Sequence, residues 1–251
     1  MGAHGEVVSF GPEGALLVET YPLLLTLGVT ASFLWLALTG PEPSRGAQVD
    51  AGLAALAGGL MGARAAFVLS HSSYYASHLV EALWFWQGGL SWAGGVAGAF
   101  AGLALYTTLA RRPLWPIADS LAVPAAILSL ATWTGCWADG CAYGRRTAPG
   151  PWSAAGADPF GGTISRWPTQ AVGVLLSLGA IALAYSLGGQ KPPSGVTFGL
   201  TLSILAAGSL ALAFVRGDPG PSIAGLRADA LGSAAVLIGS AVVTAARLRS
   251  R

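Results

Sequence analysis

The chain has 251 residues, a formal net charge of +2, 53% hydrophobic residues and only 10% charged ones. Water-soluble domains average about 25% charged residues. This composition, with a mean hydropathy of +0.61, therefore excludes an ordinary soluble enzyme and fits one all-α, polytopic membrane domain over residues 1–251. The small charge and the absence of any basic run exclude nucleic acid as a partner.

Residues 1–14 contain Glu6 and Glu13 but no Lys or Arg. The positive start of a cleavable signal peptide is therefore missing, and the apolar run at 15–38 reads as a retained first span. A bilayer crossing takes about 20 residues, and further apolar runs fall near 51–70, 94–110, 114–133, 168–187, 194–215 and 226–247, for seven spans in all. Gly58 and Gly62 on the second span, and Gly94, Gly98 and Gly102 on the third, recur at every fourth position, a pattern that lets helix backbones approach closely in lipid. Between these spans, residues 74–87 (YYASHLVEALWFWQ) are aromatic and amphipathic and read as an interfacial helix, with Tyr74, Tyr75, Trp84 and Trp86 in the aromatic belt. The fourth span is interrupted by Pro116, Asp119 and Pro124.

The stretch Gly135 to Thr147 (GCWADGCAYGRRT) is a polar, glycine-punctuated insert between apolar runs. Irregular backbone at the border of lipid must be buried in protein or line a wet cavity, so the insert is the expected working site. Its Cys136 and Cys141 do not match the usual zinc spacings. They read as two small apolar side chains, as one disulfide, or as a thiol activated by the field of Arg145 and Arg146. No metal or cofactor is expected from the scattered His4, His71 and His78, and no G-x-S-x-G, H-E-x-x-H or P-loop motif occurs.

Arg45, Arg111, Arg112, Lys191, Arg247, Arg249 and Arg251 occupy short loops and the C-terminal tail on one side. The positive-inside rule assigns that side, and the C-terminus, to the cytoplasm. The N-terminus then lies outside, as do Arg145, Arg146, Arg166, Arg216 and Arg227, with Arg64 near the end of its span. Arginines gathered on the outer side suit an anionic ligand, since guanidinium grips phosphate with paired hydrogen bonds. Spans one, three, five and seven also point their N-terminal, partly positive ends outward, and Pro168 suits the first turn of the fifth.

Taken together, these motifs resemble the prolipoprotein diacylglyceryl transferase family. Gly62–Leu69 (GARAAFVL) resembles its G-x-R-hydrophobic stretch, and Trp86–Gly95 (WQGGLSWAGG) its W-x-G-G-[LM]-S-F-H-G-G motif. Asp119 to Arg146 follows its central signature, Arg166–Gln170 (RWPTQ) parallels R-H-P-[ST]-Q, and Thr20-Tyr21 resembles the start of its first helix. The sequence departs from the pattern where the family's histidine falls on Ala93, an arginine on Trp133, an asparagine on Cys136 and an acidic residue on Cys141. In the sixth span Ser209 and Ala213 replace an arginine and a glutamate, and Arg216 is retained.

The resemblance implies a seven-helix protein of the bacterial plasma membrane. Such a protein moves the diacylglyceryl group of phosphatidylglycerol onto the lipobox cysteine of a prolipoprotein at the outer face, releasing glycerol phosphate. Asp139, Arg145, Arg216 and Tyr21 are then the expected catalytic residues. Arg64, Gln87, Ser91, Gly144, Arg146, Arg166 and Gln170 are the expected substrate-binding ones. Two other readings stay open: a divergent paralogue using the same lipid pocket for another acceptor, and a non-catalytic lipid-binding or transport protein.

Overall fold

Inside a bilayer the main chain has no water to bond, so apolar segments become helices whose N–H and C=O groups pair internally. The computed structural model describes residues 7–10, 16–40, 44–157 and 163–250. Its helices are α1 (Thr20–Thr39), α2 (Arg45–Ser70), the single turn α3 (Ser72–Tyr75), α4 (Trp92–Leu109), α5 (Leu114–Ser120), α6 (Ala122–Asp139), α7 (Thr169–Gln190), α8 (Val196–Val215) and α9 (Ala228–Arg249). Among the described residues six are long and apolar enough to cross a membrane, and α5 with α6, bent by 41°, makes a seventh when the pair is counted as one broken span. The all-α polytopic architecture is therefore the expected one. Among the described residues three short antiparallel ribbons accompany it: β1 (Val7–Phe10) with β2 (Leu16–Glu19), β3 (Ala154–Ala157) with β4 (Thr163–Arg166), and β5 (Ser222–Ile223) with β6 (Leu226–Arg227).

Four expectations change. The first span begins at Thr20, because Leu16–Glu19 pairs with Val7–Phe10 as a strand; residues 1–6 and 11–15, with Glu6 and Glu13, lie outside the described residues. The fourth span does not stop at 133: α6 continues to Asp139, so the first residues of the polar insert form a helical turn. Pro168 caps α7 from outside its first turn, and the Val172 amide donates to its carbonyl at 3.0 Å. Residues 74–87 are not one helix but α3 followed by two 3-10 turns, Leu79–Leu83 and Phe85–Gln87. The cause of this last change is Arg64, whose guanidinium donates to the carbonyls of Glu81 (2.6 Å), Ala82 (2.8 Å), Gly88 (2.7 Å) and Gly89 (3.2 Å) and so draws them out of a regular helix.

The bend between α5 and α6 follows from Pro124. Its ring in a continuous helix would strike the carbonyl four residues back, that of Ser120, where α5 ends. Asp119 lies at this break. Its carboxylate accepts from the Gly195 amide at 2.6 Å and the Phe198 amide at 2.9 Å, closing the start of α8.

Close helix approach holds the bundle together. A Cβ at Gly58 would lie 2.4 Å from the Gly98 carbonyl oxygen, and one at Gly62 would lie 2.5 Å from that of Gly94. The glycine faces of α2 and α4 thus pack against each other. Hydroxyl pairs tie other helices, as small polar residues do in lipid: Ser129 with Ser177 at 2.9 Å and Ser203 with Ser240 at 2.8 Å. The indole of Trp92 donates to Ser233 at 3.1 Å. Leu36, Ala51, Leu103, Ile117, Ala118 and Leu121 form a buried cluster where α1, α2, α4 and α5 meet.

Candidate functional site

The polar insert turns back at Gly140. This residue holds φ +71°, the left-handed conformation that ends many helices and suits glycine, and the Cys141 amide returns to the Cys136 carbonyl at 3.0 Å. A Cys136–Cys141 disulfide spans the same turn. Both cysteines are therefore in the disulfide, and the reading in which one serves as a free activated thiol is overturned.

Beyond the turn, residues 143–147 run extended between the end of α8 and strand β4. The Arg145 amide donates to Val215 at 2.8 Å, and Gly217 donates to Tyr143 at 2.8 Å. On the other side Trp167 donates to the Arg145 carbonyl at 3.0 Å and Thr147 donates to Ser165 at 2.9 Å. Gly144 pairs with Arg216 and Arg146 with Arg166 across these ladders. Only glycine fits at 144, where a Cβ would meet the Trp167 carbonyl oxygen at 2.2 Å.

The arginines of this web carry their charge differently. Arg145 is exposed and uses its Nε to donate to the Arg216 carbonyl at 3.3 Å; the end of its fork has no partner among the described residues. Arg146 is exposed too, but successive side chains of an extended segment leave on opposite faces, so the two do not form one clamp. Arg166 lies over the Tyr143 ring, 4.4 Å from its centroid, and donates to the Gly144 carbonyl at 3.3 Å.

Arg216 is committed to acidic partners. It holds Asp218 through both carboxylate oxygens and reaches Asp229 at 3.3 Å. Arg227 completes the network with Asp229 at 3.0 Å and Asp218 at 3.6 Å. Burial works against the Arg216 charge, but the hydrogen bond and charge of Asp218 and the charge of Asp229 outweigh it, so its pKa is raised. Sequence reasoning missed Asp218 and Asp229. Their signal is a twice-repeated Arg-x-Asp, Arg216-Gly217-Asp218 just after α8 and Arg227-Ala228-Asp229 at the start of α9.

Asp139 is half-buried at the end of α6. It forms no ion pair among the described residues, although a helix C-terminus is the negative end of its dipole. Tyr21, at the start of α1, packs its ring on Gly135, where a Cβ would lie 2.7 Å from Cδ2. Gly135 and Asp139 are one turn apart on the same helix face, so the Tyr21 ring packs on the face of α6 that carries Asp139. Nearby, Gln170 donates its amide to the Cys141 carbonyl at 2.7 Å, and Thr169, also missed, donates to Ala142 at 2.6 Å.

Arg64 and Ser91 organise the adjoining loop. Besides its four carbonyls, Arg64 lies 5.4 Å from the Tyr75 ring centroid. Ser91 caps α4, accepting from the Gly94 amide at 3.4 Å. Gln87 is exposed, with no side-chain partner among the described residues. The divergent positions are filled by packing. Ala93 abuts Gly232, whose Cβ would lie 2.5 Å from its own, and Trp133 covers Gly173, where a Cβ would lie 2.1 Å from the indole. Among the described residues no group of three metal-ligating side chains gathers.

These features define a multi-pass membrane protein with an arginine- and carboxylate-bearing site at one end of its helix bundle. The profile of the prolipoprotein diacylglyceryl transferase family matches residues 8–246. A phosphatidylglycerol–prolipoprotein diacylglyceryl transferase of Dehalococcoides mccartyi is 29% identical over 211 residues, covering 81% of this chain and 79% of its own. One of the same name from Nitratidesulfovibrio vulgaris is 30% identical over 225 residues, covering 86% and 81%. Another from Thermus thermophilus is 40% identical over 74 residues, covering 29% and 25%. The chain belongs to the prolipoprotein diacylglyceryl transferase family and is a transferase.

Proposed function

We propose that the protein transfers the diacylglyceryl group of phosphatidylglycerol to the lipobox cysteine thiol of prolipoproteins, at the outer face of the bacterial plasma membrane. The observation that carries this reading is the family match across nearly the whole chain, joined to a free Arg145 fork and an unpaired Asp139 at the same end of the bundle. The cysteine sulfur attacks the glyceryl carbon bonded to the phosphate oxygen. An S–C bond forms, the C–O bond breaks, and the electron pair leaves on glycerol phosphate. Thiolate is the nucleophile, so the thiol proton must go to a base.

Asp139 accepts that proton or orients the peptide, and Tyr21 hydrogen-bonds the lipid headgroup. Arg145 contacts the phosphate, and its hold strengthens as charge develops on the leaving group. Arg146 and Arg166 add positive field from either side. Arg216, expected to grip phosphate directly, is held by Asp218 and Asp229; we assign it to positioning Arg145 through its carbonyl. Gln170 and Gly144 shape the floor of the site. Arg64 orders the loop that presents Gln87 and Ser91.

Two features support an outer location. Disulfides persist in oxidising compartments outside the cytosol, and Cys136–Cys141 lies at the site end. Arg45, Arg111, Arg112, Lys191, Arg247 and Arg249 lie at helix ends of the other pole, as the positive-inside rule requires of a cytoplasmic face. Closed packing at Ala93 and Trp133 favours a second reading, a paralogue that uses another acceptor. The test is glycerol phosphate release from headgroup-labelled phosphatidylglycerol vesicles. Release that requires a lipobox peptide supports the first reading. Release with the lipobox cysteine replaced by serine supports the second, and no release contradicts both.

A further inference from the structure

A cavity of about 670 Å³ lies at the pole opposite Arg145 and Asp139. The ends of α1 and α7, the starts of α2 and α8 and the break between α5 and α6 enclose it. Val123 in its wall and Asp139 in the candidate site share α6 and are about 24 Å apart at 1.5 Å per residue. The cavity is therefore separate from that site.

Its lining divides by chemistry. Trp35 and Tyr185 meet edge to face with centroids 6.1 Å apart, and Tyr185 is 68% exposed, so this wall opens sideways onto the lipid-facing surface. Deeper in, Gln48 and Thr197 are only 9% and 5% exposed. Among the described residues neither the Gln48 amide nor the Thr197 hydroxyl has a hydrogen-bond partner, yet neither is sealed from the cavity. Two unpaired polar groups on nearly buried side chains, both open to one space, offer a ligand there two hydrogen bonds. Asp119 adds carboxylate oxygens which, beyond the two amides they accept, retain lone pairs. Among the described residues no Lys or Arg lines the cavity. A phosphate there would face the Asp119 carboxylate with no cationic side chain in the described lining to grip it.

We propose that this cavity binds an uncharged, hydroxyl-bearing glycerolipid of the diacylglycerol class. Its free hydroxyl donates to Asp119, and its ester carbonyls accept from the Gln48 amide and the Thr197 hydroxyl. The acyl chains leave past Trp35 and Tyr185 into the bilayer. The inference does not depend on the transfer reaction at the other pole.

The test uses the full chain in phosphatidylcholine vesicles with a photoactivatable, alkyne-bearing diacylglycerol, reading cross-linked peptides by mass spectrometry. Labelling is expected on the ends of α1 and α7 and is displaced by unlabelled dioleoylglycerol but not by an equal amount of phosphatidylglycerol. Each lost hydrogen bond in a buried site weakens binding about tenfold, so Gln48→Leu with Thr197→Val should nearly abolish it. Both changes remove unpaired polar groups, so the ligand-free double variant should melt no lower than the parent. If it does melt lower, the isosteric Thr197→Val alone is read, with labelling expected to fall about tenfold. Undiminished labelling in the variants, equal displacement by phosphatidylglycerol, or no label at this pole (a cavity holding only water) overturns the proposal.

Discussion

Asp139 stands at the negative end of α6 with no cation paired to it among the described residues, a position that costs a carboxylate about 0.3–1 kcal/mol. A residue kept at such a cost for its chemistry should separate stability from activity. Asp139→Asn is expected to leave the melting temperature in detergent unchanged or slightly higher. Turnover should fall by about 10²–10⁴-fold, the range for losing a general base. Arg145 makes the complementary case: its main chain is held on both sides while the end of its fork is free. Arg145→Lys keeps the charge but loses the planar fork, and we expect kcat/KM for lipid to fall by roughly 10–100-fold, about 1.4 kcal/mol per tenfold. Arg216 differs from both. Removing it leaves Asp218 and Asp229 to share Arg227, and Arg216→Ala is expected to cost about 1–3 kcal/mol in denaturant unfolding, since one partner of a partly buried pair is orphaned. Adding Asp218→Asn should recover part of that loss; a double-variant cycle with no coupling would show that the network contributes nothing.

At the scale of elements, α2 and α4 depend on the absence of side chains. The space beside Gly62 is filled by the Gly94 carbonyl, and a single inserted methyl typically costs about 1–3 kcal/mol. Gly62→Ala should lower the melting temperature measurably, and Gly62→Leu should prevent recovery of a monodisperse protein. The insert is held by its ladder to α8 and β4 and by the disulfide across its turn. Closing so short a loop is worth about 2 kcal/mol on chain entropy, the loss expected for Cys136→Ser with Cys141→Ser. Protein alkylated without a reductant, and freed of reagent before the lipobox peptide is added, should keep its turnover; inactivation would show that a free thiol of the protein takes part.

Across the whole molecule, the helical spans were legible because lipid permits little else: long apolar runs, proline breaks and glycine faces all have direct physical readings. What escaped reading depended on distant partners. Nothing local in residues 74–87 announces that Arg64 will draw the carbonyls of Glu81 and Ala82 out of a helix. The charge of Arg216 looked available because Asp229 follows thirteen positions later in the sequence, and its approach depends on how α8 and α9 meet. Gln48 and Thr197 carry no motif at all; only the bundle places them around one cavity. The insert was legible through its polarity as the candidate site, while the partners of its arginines required the fold.

The central claim is transfer to a lipobox thiol through Arg145. The direct measurement is the mass of a lipobox peptide after incubation with purified protein in phosphatidylglycerol vesicles, with Arg145→Ala in parallel. A diacylglyceryl mass on the peptide cysteine, lost in the variant, is the expected result. An unmodified peptide, while a known family enzyme modifies it under the same conditions, would contradict the account.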